Sequence, residues 1–445
     1  MRLSPIVPLV LATALWGCET GDTSTAPTPD AAGSASDAML DGTATAPDTG
    51  TESPPDAAPP TDAAPLRVDG PPSPTPTDAH PPAMEDAQPP PVDAAPPPMD
   101  AATDPIDAGP QWPRTRVFVG TGRWSGPPGQ IFVYDLDAEG GYTRLGRQMA
   151  GNLASFLALD GERRKVYMAD EGGSRWLGFS IDPDNAQLTE RQSSPTSAGP
   201  VYVVTDPTGR WLLTATYGGG QVQSFDTETG AQVDVEATGA QTHSVLFSRD
   251  GAFVYAASKG NHWVGQYAFD ATDGTLTPAG TVPVAGNAGP RHLTFHPTLD
   301  VLYLMNESDG QLVLFDRNGA TGQLTQRATA STLPADFAGQ ATGADLHFTP
   351  DGEHLFFTLR VSGANGLVGV YDVDERGDLS NPRFVDTRGQ TPRNFDIDPT
   401  GRFLSVANRE SSTIAVFRIE ADGGLTFVTT VAVDDTPFFV GTVQL

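Results

Sequence analysis

The 445-residue sequence predicts an all-β fold, a seven-bladed β-propeller of four-stranded antiparallel blades, and three observations predict it. First, a turn signature recurs every 42 to 53 residues. It reads Asp206-Pro207-Thr208-Gly209, Ser248-Arg249-Asp250-Gly251, Thr349-Pro350-Asp351-Gly352 and Asp398-Pro399-Thr400-Gly401, with Asp160-Gly161 and His296-Pro297 as degenerate copies. A period of that length marks a repeat architecture. Second, each turn is followed by a short apolar strand (211–215, 403–407), then an alternating one (413–417) and a more polar one. No helix-length amphipathic segment intervenes, which is the pattern of a propeller blade. Third, the two ends are complementary. Strands at 116–120, 130–136 and 142–147 have no inner strand before them, and 438–444 has no strands after it. The carboxy-terminal strand should close the ring beside the amino-terminal three, which removes exposed edges.

The elements follow in order. Residues 1–17 read as a secretion signal: Arg2 supplies a positive start and 6–16 an apolar run too short to span a bilayer. Leu15-Trp16-Gly17-Cys18 resembles a bacterial lipobox, and Cys18 is the only cysteine in the chain. Lipidation of Cys18 places several acyl chains in the membrane, enough for stable anchoring. Glu19 follows it, where Asp is the inner-membrane retention signal, so outer-membrane sorting is expected in a Gram-negative envelope. Residues 18–112 read as a tether. From 19 to 111 there is no Phe, Trp or Tyr but 22 prolines, with Asp-Ala-Ala-Pro-Pro units at 56–60 and 93–97. Such a segment cannot bury enough apolar surface to offset the entropy of folding. As a flexible coil it reaches about 50–60 Å, more with proline stiffening. The propeller occupies 113–445, with inner strands beginning near Ala154, Val201, His243, Arg291, Ala344, Arg393 and Phe438.

Charge narrows the partners. The chain has 26 Lys+Arg against 55 Asp+Glu, a formal net charge of -29. No nucleic acid is expected, because phosphate binding needs a basic footprint. No membrane contact is expected beyond the lipid anchor. One cysteine excludes a disulfide or a Cys-based zinc site, and the scattered histidines lack ligand spacing, so neither metal nor cofactor is expected. A monomer is expected.

The start of each inner strand and the end of the second strand share one mouth of the channel. Inner-strand starts supply His243, Arg291 and Arg393, with His292 and Asp345 one residue after a start. Second-strand ends supply Glu171, Tyr217, Lys259, Glu307, Arg360 and Arg409. Gathering arginines at one mouth of an acidic domain predicts a pocket for a carboxylate or phosphate. Since these arginines border a channel, truncating Arg291 is expected to spare stability.

The residues that carry this pattern resemble the seven-bladed propeller lactonases, which include propeller-type 6-phosphogluconolactonases and a fungal 3-carboxymuconate lactonizing enzyme. The match is strongest in Gly289-Pro290-Arg291-His292-Leu293-Thr294-Phe295-His296-Pro297 and Asn306-Glu307, and continues in His243-Ser244, Ala344-Asp345-Leu346-His347 and Thr391-Pro392-Arg393-Asn394. Val201-Tyr202 departs from it, standing where a histidine is usual. The resemblance implies an active-site set of His243, Arg291, Glu307 and Arg393, with Glu307 or His243 as the base. His292, Asp345, Arg360, Glu171 and Tyr217 are expected to bind the substrate. The implied function is an envelope-anchored lactonase, hydrolysing or forming the lactone of an anionic sugar acid or muconate-like molecule. A non-catalytic cell-surface binding propeller is the alternative.

Overall fold

The recurring turn is held by its own side chains. Asp206 Oδ1 accepts the Trp211 amide at 2.7 Å, and Oδ2 accepts the Thr208 amide at 3.0 Å and its hydroxyl at 2.5 Å. Asp398 repeats this with Phe403 and Thr400. Gly209 and Gly401 take φ of 71° and 72°, where a Cβ is strained. In the variant turns a hydroxyl does the work of the carboxylate. Ser248 Oγ accepts the Phe253 amide at 2.9 Å and Thr349 Oγ1 the His354 amide at 3.1 Å. Each turn thus sets where the following strand begins.

The computed structural model describes residues 114–124 and 127–445. The signal 1–17, Cys18 and the tether 18–112 lie outside the described residues. Seven four-stranded antiparallel sheets make up the ring. Their inner strands are Ala154–Asp160, Pro200–Thr205, Thr242–Phe247, Pro290–Phe295, Ala341–Phe348, Pro392–Ile397 and Pro437–Gln444. We number the blades one to seven in that order. The last inner strand pairs with Thr115–Thr121, so the seventh blade is built from both ends of the domain, as predicted. In the fifth blade the inner strand begins at Ala341, earlier than the predicted Ala344, because Ala341 and Thr342 pair with Val361 and Arg360.

Second strands such as Trp211–Thr216, Val301–Asn306 and Phe403–Asn408 are buried along their whole length, since neighbouring blades cover both faces. Outermost strands such as Leu425–Ala432 are largely exposed or half-buried. The core is accordingly divided into seven apolar clusters, one at each seam between blades. At the second seam Trp211, Leu213 and Val222 meet Val245, Val254 and Tyr267.

Every inner strand carries the same irregularity near its head. Its register with the second strand skips Ser155, Val201, His243, Arg291, the pair Ala344-Asp345, Arg393 and Phe438 in turn. Such a bulge sets two consecutive residues against one partner and re-aims a side chain. Here it delivers two neighbouring side chains to the channel, one at the mouth and one just below.

Closure generates a prediction. Phe438, Phe439 and Val440 are 1%, 5% and 0% exposed. Burial of such side chains is worth about 1.5–3 kcal/mol each, so together they approach the whole stability of an ordinary domain. Deleting 436–445 should abolish the cooperative thermal transition. A truncated protein that melts like its parent would contradict the ring.

Candidate active site

The mouth is organised around Glu307, which follows the second strand of the fourth blade. Lys259 Nζ donates to Glu307 Oε1 at 2.9 Å and to the Tyr217 hydroxyl at 3.2 Å. Arg360 Nη2 lies 3.4 Å from Oε1, and Arg291 Nε 3.3 Å from Oε2. Burial pushes the Glu307 carboxyl up, but Arg360, Arg291 and Lys259 outweigh it and hold it at about 2. A carboxylate so stabilised as an anion is a poor proton acceptor at neutral pH. It serves instead to gather cations.

The arginines differ in their freedom. Arg291 is 1% exposed, and its Nη1 donates to the Ala344 carbonyl. Burial lowers it to about 9, with repulsion from Arg360 adding and Glu307 opposing. This packing overturns the expectation that truncating Arg291 spares stability: the side chain fills core volume and balances a buried carboxylate. Arg360 Nη2 donates to the Gly343 carbonyl at 2.9 Å and stays half-buried. Arg393, also half-buried, reaches Ser155 Oγ at 3.3 Å and lies 5.1 Å over the Phe438 ring. Ser155 in turn donates to Glu171 Oε2 at 2.7 Å.

His243 is buried with its ring 5.8 Å from Tyr217 and 5.3 Å from His292. Burial, then the charges of Arg291, His292, Arg393 and Lys259, push its pKa well below the usual 6.5, so it is neutral. Among the described residues nothing bonds its Nδ1.

One residue below the rim lies a second layer. His292 Nδ1 is 2.6 Å from Asp345 Oδ1, and Asp345 also takes Asn394 Nδ2 and His347 Nε2. Burial and then Arg291 lower His292 to about 4, although Asp345 opposes them. Phe156 stacks on Tyr202 at 3.9 Å and meets Phe439 at 4.9 Å and His292 at 5.9 Å. These side chains touch across the channel from the first, second, fourth, fifth, sixth and seventh blades and plug it.

The structure therefore brings His243, Arg291, Glu307, Arg393, Arg360, Tyr217 and Glu171 to one mouth, and sets His292 and Asp345 in the layer beneath. Lys259 has no role in the sequence-based set, yet it holds Glu307 most closely. Its place at a second-strand end, equivalent to Tyr217 and Glu307, is the signal that finds it.

Residues 116–441 match the family model described as lactonase, 7-bladed beta-propeller. A 6-phosphogluconolactonase of Enterobacter sp. (strain 638) is 31% identical over 303 residues, spanning 66% of this chain and 90% of that protein. One from Cronobacter sakazakii (strain ATCC BAA-894) is 30% identical over 66% and 89%. Among solved structures, a periplasmic gluconolactonase of Pseudomonas aeruginosa superposes with a TM-score of 0.68 and 26% identity, covering 74% of this chain and 99% of that one. A putative 6-phosphogluconolactonase of Bacteroides uniformis ATCC 8492 gives 0.68 and 26% over 75% and 100%.

The Glu307 cluster predicts a pH dependence. Its folded pKa of about 2 lies below the unfolded value, so its contribution is complete above about 4.3 and is lost as pH falls toward 2. Glu307→Gln should cost roughly 3 kcal/mol of stability at pH 7. Denaturant melts of parent and variant should converge as pH drops from about 4.3 toward 2; a constant difference would show the carboxylate is not held by its charge.

Proposed function

The chain belongs to the seven-bladed β-propeller lactonase family, and on that premise we propose that it hydrolyses the lactone of an anionic sugar acid at the channel mouth. One observation carries the reading. Lys259, Arg291 and Arg360 converge on a single carboxylate, with Arg393 beside them, in a domain (113–445) that holds 38 acids against 24 bases. The local positive excess is built against the charge of the whole and suits an anion.

In this reading Arg393 and Arg360, the half-buried guanidinium groups, receive the substrate's anionic group and the developing oxyanion. Arg291 is too enclosed to reorient and supplies a fixed field. A water attacks the lactone carbonyl carbon while His243 takes its proton. The ring C–O bond then breaks, the proton passes to the departing ring oxygen, and one water has become part of the open hydroxy acid. His243 is depressed by burial and then by the surrounding cations, so an anion entering the mouth offsets the cationic part and raises its basicity as substrate arrives. The names of the similar proteins, 6-phosphogluconolactonase and periplasmic gluconolactonase, support a sugar-acid lactone as the substrate class.

We place the domain in the cell envelope, on a lipidated Cys18 and the 18–112 tether, sorted to the outer membrane. The periplasmic location in the name of the Pseudomonas relative supports export. Cys18→Ser should move the protein from the membrane fraction to the soluble one; persistence in membranes removes the anchor.

The activity is tested with the full chain on 6-phosphoglucono-δ-lactone, which carries an anionic group, and on glucono-δ-lactone, which does not. Arg393→Ala should lower kcat/KM about 100- to 1000-fold, the usual effect of losing one oxyanion donor, with little change in melting temperature. Arg291→Ala should lose both activity and stability. A parent protein that binds gluconate without turning over any lactone would instead be a binding propeller.

A further inference from the structure

Beside the mouth, at the seam between the sixth and seventh blades, lies a cleft of about 390 Å³ lined by Arg123, Trp124, Arg409, Glu410, Ser412 and Phe438. Its size falls within the range of small-molecule sites, about 300–1,000 Å³. Trp124 is 52% exposed, the most exposed of the large apolar side chains among the described residues. Its indole is nonetheless held. The ring meets Phe438 edge-on at 5.1 Å, Nε1 donates to Glu171 Oε1 at 3.2 Å, and the Arg409 guanidinium lies 5.4 Å over the ring. An indole oriented by three contacts yet half open to solvent is a platform.

The charge of the cleft differs from that of the mouth. Arg123 is paired with Asp435 at 3.3 Å and Arg409 with Glu410 at 3.0 Å, so each cation has its own acid. A balanced surface of aromatic face, paired charges and a hydroxyl suits a neutral polyhydroxylated group. Its C–H face lies on the indole while its hydroxyls meet the rim. The cleft is also joined to the mouth. Glu171 holds Trp124 with one oxygen and Ser155 with the other, and Ser155 is within 3.3 Å of Arg393.

We propose that this cleft is a second subsite for a neutral sugar attached to the lactone, so that the preferred substrate is a disaccharide lactone. This rests on the lactonase reading of the mouth. The lactone ring sits among Arg393, Arg360 and His243, and the attached sugar lies on Trp124.

The test compares glucono-δ-lactone with cellobionolactone, which carries a glucose on the same lactone, using the full chain. The parent should show a KM at least 5-fold lower for the disaccharide lactone. Trp124→Ala should raise that KM about 10-fold, leave kcat/KM for gluconolactone within 2-fold, and be partly rescued by Trp124→Phe. Equal losses on both substrates would make Trp124 a prop for Glu171 and overturn the subsite, as would equal KM values in the parent. If neither lactone is turned over, calorimetry with cellobionate and gluconate still reads the cleft, and the lactonase reading fails only if 6-phosphoglucono-δ-lactone is left intact as well. Tighter cellobionate binding that Trp124→Ala removes supports the subsite, and equal binding of the two acids refutes it.

Discussion

The inserted residue near the head of each inner strand is the constraint on which the site depends. In an uninterrupted antiparallel ladder only every second residue of an inner strand faces the channel. The bulge breaks that phase once in each blade, so that Arg291 and His292, or Arg393 and Asn394, both face inward. Seven repeats of one local defect convert a pore into a two-storey site. The upper storey is charged and open, and the lower one is sealed by Phe156, Tyr202, Phe439 and the His292–Asp345 pair.

The upper storey works because its charges are unequal in both number and freedom. Glu307 draws Lys259, Arg360 and Arg291 together, and one carboxylate cannot neutralise three cations. Without it, the like charges at that spacing would repel one another unopposed. Arg291 is immobilised by the Ala344 carbonyl and its burial. Arg393 has a long contact to Ser155 and a ring beneath it. A rigid field and an adaptable hand are thus supplied by the same residue type, separated by what each guanidinium is bonded to and how far its side chain is enclosed.

The fold was legible because its punctuation is local: the carboxylates and hydroxyls that define the turns bond to amides two to five residues away. Strand order and closure followed by counting. The membership of the mouth was legible for the same reason, since a strand start and its partner's end must coincide. What each member does was not. The capture of Glu307 joins residues 48 and 53 positions apart, and the Asp345–Asn394 bond joins residues 49 apart. Only the closed ring decides such distances. Arg291 therefore looked like a solvated channel residue and is a buried one. Tyr202, where the family pattern has histidine, looked like a loss and is a face of the plug. Trp124 follows the second strand of the blade shared by the two termini, where counting strands from either end stops short.

The plug leaves the site with one door. In the proposed reading, substrate and product pass through the same opening. In that reading, opening the lactone creates a carboxylate, so the product carries one more negative charge than the substrate and has to leave past the same arginines. Departure is then the electrostatically uphill step, eased by salt that screens the mouth. In such a vessel the accumulated hydroxy acid competes with fresh lactone for the same guanidinium groups.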